Sequence, residues 1–167
     1  VHNTGQIVQQ DIGRLSFNRS SAEYVNAGQI DAMAGEIQFQ NLGTFSNAGE
    51  INIVAGAEVS LSGGAFVNEV GSQINGTGTL TSVVSTFTDN GSLGPGASPG
   101  VLTMDVNNYE QTSSGVLNME IAGLTAGNDY DQIIFSGNSA TLNGTLQIRF
   151  LDGFAPTMND QFDLLLG

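Results

Sequence analysis

The chain has 167 residues, 23 of them glycine, with 40% hydrophobic and 11% charged residues and no cysteine. That length suits one domain with a sizeable core, the hydrophobic share excludes simple disorder, and the abundance of Gly, Asn, Ser and Thr points to an all-β chain of short strands and turns. Arg14, Arg19 and Arg149 face sixteen carboxylates for a net charge of −13, which argues against nucleic acid or an anionic membrane surface as partner, and without cysteine neither a disulfide framework nor a thiolate metal site forms.

Taken in chain order, the predicted elements repeat. Val1-His-Asn-Thr-Gly-Gln-Ile7, Tyr24-Val-Asn-Ala-Gly-Gln-Ile30, Phe45-Ser-Asn-Ala-Gly-Glu-Ile51 and Phe87-Thr-Asp-Asn-Gly-Ser-Leu93 share one pattern, and Phe66-Val-Asn68 to Ile74 is a further copy with a short insertion before its glycine. A second column, Leu15, Ile37, Val59, Leu80 and Leu102, keeps the same rhythm, with Phe17, Phe39, Leu61, Ser82 and Met104 two residues later. Apolar residues two apart share one face of a strand, the period of β-structure and not of helix. A repeat of about 21–23 residues fits one coil of a solenoid, and about seven coils at about 4.8 Å each would make a rod of roughly 35 Å. The expected fold is an all-β, right-handed parallel β-helix (β-solenoid), the hand following from the general preference for right-handed crossovers.

Each column has a physical role. Tyr24, Phe45, Phe66 and Phe87 are expected to stack inside the rod, Asn3, Asn26, Asn47, Asn68 and Asp89 to form a ladder at a turn, and Gly5, Gly28, Gly49, Gly71 and Gly91 to supply that turn. Gly94-Pro-Gly-Ala-Ser-Pro-Gly100 is a dense turn signal. After about residue 106 the period breaks down, with strands expected at Val116–Ile121, Gln132–Phe135, Thr141–Leu151 and Gln161–Leu166. The chain thus reads as a single solenoid domain over 1–167, regular over 1–106 and degenerate over 107–167. Val1 falls inside a repeat, so the sequence reads as a mature fragment or an excised piece. No stretch approaches the roughly 20 apolar residues of a membrane-spanning helix, so direct membrane insertion is not expected.

The run Gly91-Ser-Leu-Gly-Pro-Gly-Ala-Ser-Pro-Gly-Val-Leu-Thr103, with Tyr109-Glu-Gln, Leu117-Asn-Met-Glu-Ile121, Asp129-Tyr-Asp-Gln-Ile133 and Ala140-Thr-Leu-Asn-Gly-Thr-Leu146, resembles the β-helical passenger and adhesin-like repeat proteins of Gram-negative and related bacteria. It is similar especially to the segment that precedes an autotransporter barrel or another surface anchor. The resemblance implies an extracellular or cell-surface, outer-membrane-associated, non-catalytic rod. Surface glycans or host and cell-surface proteins are its implied partners, with end-to-end stacking into a homo-oligomer as an alternative use of its terminal coils.

No enzyme is expected. The one histidine, His2, lies at the N-terminus, and the HExxH, Walker A and dinucleotide fingerprints are absent, so no catalytic, cofactor or metal site is assigned. The competing reading is a polysaccharide lyase or hydrolase using Asp129 with Asp131, or Glu36 with Glu58, against which solvated turn carboxylates are favoured. Asn128, Asp129 and Asp131 offer oxygens to Ca²⁺, with a structural role favoured. Arg14 and Arg19 offer an anionic-glycan dock, against an ordinary solvated face. Tyr109, Tyr130 and Phe154, read as lying off the main aromatic column, offer a sugar-stacking platform, against core packing. An ice-binding threonine face is discounted because Thr77, Thr79, Thr81, Thr86 and Thr88 cluster locally.

Overall fold

The computed structural model describes residues 1–96 and 99–167. Strands β1 (His2–Asn3) and β2 (Gln6–Gln9) open the stack. Four coils follow, each a long and a short strand: β3 (Arg14–Asn26) with β4 (Gln29–Ala32), β5 (Glu36–Asn47) with β6 (Glu50–Ile53), β7 (Glu58–Asn68) with β8 (Gln73–Gly76), and β9 (Thr79–Asp89) with β10 (Ser92–Gly94). The long strand then divides into β11 (Val101–Val106) and β12 (Asn108–Gln111), followed by β13 (Val116–Ile121). Strands β14 (Gln132–Phe135), β15 (Ser139–Leu142), β16 (Thr145–Phe150) and β17 (Leu165–Leu166) complete the chain.

All pairs between these strands are parallel, each strand lying on the equivalent strand of the next coil. The long strands build one sheet and the short strands a second of seven, in the order β16-β13-β10-β8-β6-β4-β2. The molecule is therefore a parallel β-solenoid without helices among the described residues. It completes about 5 turns rather than the seven or so coils expected, because the outermost layers are partial.

The alternation of apolar residues explains the packing. In β7 the buried positions are Val59 and Leu61, then Phe66 and Asn68, so the inward face changes from odd to even numbers midway. An irregularity in the middle of the long strand makes that change, and the β5–β7 pairing shifts register between Phe39 and Leu42. Asn41 there takes a left-handed conformation, φ 55°, which asparagine tolerates, and Gly63 one layer on has φ 124°. The motif glycine has another cause. A Cβ on Gly49 would lie 2.1 Å from the Gly28 carbonyl oxygen, so at Gly28 and Gly49 the close approach of stacked backbones demands glycine, whereas Gly71, in the copy with the insertion, sits in open space at φ 85°.

The aromatic column is present as expected, and the second column is present as far as Leu80, where it slips by two residues: Leu80 pairs with Met104 and Ser82 with Val106, so Leu102 does not continue it. Leu15, Ile37 and Val59 align, as do Phe17, Phe39 and Leu61, and Tyr24, Phe45, Phe66 and Phe87 stack with successive ring separations of 6.2, 5.3 and 4.5 Å. The stack runs further than the sequence suggested. Tyr109 pairs with Phe87 at 5.7 Å and meets Phe135 at 4.9 Å, so it belongs to the aromatic column and does not lie off it.

The C-terminal part keeps the coil and changes the spacing. Val101 pairs with Gln132 and Val116 with Thr145, because the chain inserts a hydrogen-bonded loop after Ile121 before it re-enters the long sheet. The strand expected over Thr141–Leu151 is two strands in different sheets, broken at Asn143 and Gly144, and of Gln161–Leu166 only the last two residues pair. The turn expected over Gly94–Gly100 lies partly outside the described residues, at 97–98, while Gly94 itself ends β10.

Candidate functional site

The most regular polar feature is the asparagine ladder. Asn3 donates through Nδ2 to Asn26 Oδ1 at 2.7 Å, Asn26 to Asn47 at 2.7 Å, Asn47 to Asn68 at 2.7 Å, and Asn68 to Asp89 at 2.8 Å. Asn26, Asn47, Asn68 and Asp89 are all buried. Nδ2 of Asn26 also donates to the Glu50 carbonyl, while its Oδ1 accepts from the Gly28 amide, so the backbone fixes which way the amide faces. In the copy with the insertion, the Ser72 hydroxyl reaches Asn68 Oδ1 at 2.7 Å. These amides satisfy the turn and one another, which is the structural reading of the column.

Asp89 ends the ladder. Its Oδ1 accepts from Asn68 and the Gly91 amide, and its Oδ2 accepts from the Tyr109 hydroxyl at 2.6 Å. Burial, followed by the neighbouring Asp89, raises the Tyr109 phenol far above its ordinary value, so it remains a donor. One coil on, Gln111 occupies the ladder position against Asp89 and turns to the backbone, donating to the Gly115 carbonyl and accepting from the Gly144 amide. Sequence reasoning placed Tyr109 off the column and missed Gln111, although Tyr-x-Gln repeats Phe-x-Asp 22 positions after Phe87-x-Asp89.

The two candidate carboxylate pairs have different fates. Asp129 is half-buried and folds onto its own loop, accepting from the Thr125 amide at 3.0 Å, while the amides of Asn128, Asp129 and Tyr130 converge on the Thr125 carbonyl. Hydrogen bonds from Thr125 hold the Asp129 carboxyl below the usual range. Asp131 is buried, and its two oxygens accept from the Gly100 amide at 2.7 Å and the Glu120 amide at 2.8 Å. Burial pushes its carboxyl up to about 6, against the lowering effect of the Gly100 bond. One carboxylate therefore closes a loop and the other staples three chain segments.

Glu36 and Glu58 are in-register neighbours, but Glu36 is bracketed by Arg14 on one side and the Ser60 hydroxyl, at 2.6 Å, on the other. Arg14 is thereby matched by a carboxylate, Arg149 pairs with Glu120, and Arg19 is exposed. Among the described residues no group of three or more His, Asp or Glu is placed to share a metal ion.

The aromatic candidates are packing residues. Tyr109 and Tyr130 are buried, Tyr130 meets Phe162 edge-on at 5.3 Å, and Phe154, partly buried, meets Phe162 at 6.1 Å. They form no platform. A hollow of about 420 Å³ lies on the short sheet around Gly94, flanked by Asn75, Asn118, Glu120 and Asp131. No sequence motif marked it, because its glycine was read as part of a turn.

No known family, curated protein or solved structure matches this chain. What the coordinates define is the class, a parallel β-solenoid built of repeats.

Proposed function

We propose that this chain is a non-catalytic structural and adhesive module of a bacterial cell-surface or secreted protein, acting as a rigid extended rod, in keeping with its resemblance to autotransporter-passenger and adhesin-like repeats. The observation that carries the reading is the buried amide ladder running beside the aromatic column through successive coils. Rigid extension is the property such a ladder supplies, since each layer fixes the next by side chain as well as by backbone. The acidic surface and lack of cysteine suit an extracellular setting. Small-angle scattering with negative-stain microscopy tests it: an elongated, protease-resistant particle is expected, and a compact or flexible one overturns it.

A second reading, assembly end to end into a fibre, is favoured by the last coil. Leu146, Ile148 and Phe150 of β16 are 44%, 44% and 49% exposed, although their partners Leu117, Met119 and Ile121 on β13 are buried. An apolar face at a strand edge is a template for another coil. Particle mass that rises with protein concentration, and that Phe150→Lys holds at one chain, is the expected result; a constant mass removes this reading.

A further inference from the structure

Along the outer face of the short sheet, one column reads Asn52, Asn75, Gly94 and Asn118. Asn52 pairs with Asn75 and Asn75 with Gly94, and the pairing of Leu93 with Leu117 sets Gly94 level with Asn118. The column is a row of amides with one rung missing, and the hollow of about 420 Å³ lies at that missing rung.

We propose that this hollow binds an uncharged carbohydrate, one sugar ring seated in it against Asn75 and Asn118. The proposal deepens the adhesive part of the reading above and rests on it. Two layers, about 10 Å, separate Asn75 from Asn118, and both line the hollow, so a single ring within it reaches both. Asn118 offers both a donor and an acceptor, the combination that adjacent hydroxyls require, and Asn75 offers its Oδ1 as an acceptor. Asn75 is held for this by its Nδ2 bonds to Glu50 and Gln73. Ile53, Val54 and Pro95 supply an apolar wall for the C–H face of the ring, and Glu50 and Glu120 supply acceptors for hydroxyl groups.

The same observations select against other occupants. Strand β10 is already paired on both sides, so an extended peptide has no free edge to join. The carboxylates at the hollow and the net charge of −13 repel sulfated and uronic sugars.

The test is to titrate the purified chain with uncharged gluco-, galacto- and manno-oligosaccharides and with their uronic or sulfated counterparts. Saturable binding of an uncharged oligosaccharide is expected. Asn118→Ala, which removes an exposed side chain, should weaken it about tenfold, the worth of a hydrogen-bonded contact, with Tm unchanged. Gln38→Ala, on the other sheet, should bind as the parent does. Binding to none of the uncharged sugars, preference for the anionic ones, or an Asn118→Ala protein that binds like the parent would overturn the proposal. Scattering on the same sample separates the two readings: an extended particle that ignores sugar loses this site alone, and a compact one loses the rod.

Discussion

Residues 1–106 and residues 107–167 build the same coil from differently spaced sequence. In the first part Phe45, Phe66 and Phe87 follow one another at a fixed interval; in the second, Tyr109 pairs with Ala140 and Val116 with Thr145 across a longer excursion. The stack tolerates this because layers are joined by in-register backbone bonds and by columns of inward side chains, whereas the lengths of the connections face solvent. The interval is a symptom of short turns; the columns are what hold the rod together. The two regions also differ in cover, since Leu117 pairs with Leu93 on one side and Leu146 on the other, and Met119 and Ile121 beside it are buried, whereas Leu146, Ile148 and Phe150 have a partner strand on one side alone.

The largest expected effect probes that difference directly. Phe45→Ala, between Tyr24 and Phe66, should cost about 3–5 kcal/mol in urea unfolding, and Phe150→Ala, half exposed on the last strand, about 1 kcal/mol. Equal losses would break the comparison.

The next lies in the C-terminal part. Asp131 titrates at about 6 when folded, above the roughly 3.9 of an unfolded aspartate, so the native state holds the extra proton between those values. Its contribution is complete below about pH 4 and is lost as pH rises through 6, up to about 3 kcal/mol in all. Unfolding measured from pH 4 to 7 should show that decline, and Asp131→Asn should flatten it; a parallel profile in the variant would remove Asp131 as the cause.

Within the regular coils, Asn47→Ala should cost about 2 kcal/mol, because it removes a side-chain acceptor from the buried Asn26 Nδ2 and one of the two donors to Asn68 Oδ1. Asn3→Ala, at the open end, should cost under about 1 kcal/mol in the same denaturation assay. The smallest effect is a gain. The Ser82 hydroxyl is buried with no hydrogen-bond partner among the described residues, so Ser82→Ala should raise stability by about 1 kcal/mol, read as an increase in Tm.

Fold class, the aromatic column and the second column as far as Leu80 were legible because alternation and a fixed interval are local properties of sequence, whereas the two-residue slip that sets Met104 on Leu80 was not. The boundaries of β13 and β14 were legible for the same reason. Tyr109 and Gln111 were within reach of the same column but were hidden by the divided long strand, whose residues do not follow a strict alternation across Asn107. Asp131 was not legible as a staple, since its partners Gly100 and Glu120 come from other layers and only the register brings them near. The hollow at Gly94 was invisible for a related reason: a missing side chain acquires meaning only from the amides above and below it.

The amide ladder also has a polarity. Every Nδ2 faces the C-terminal end, from Asn3 to Asp89, and Asp89 receives bonds from both neighbours, as a carboxylate group with no amide to pass on. A duplicated Asn-bearing coil inserted before Asp89 extends the row without a conflict, each new amide accepting from one neighbour and donating to the next. A duplicated Asp89 coil sets two carboxyl groups acceptor against acceptor. Growth of the rod by unequal recombination is therefore open on one side of Asp89 and blocked at it, so that length variants should accumulate copies of the segment exemplified by residues 24–44.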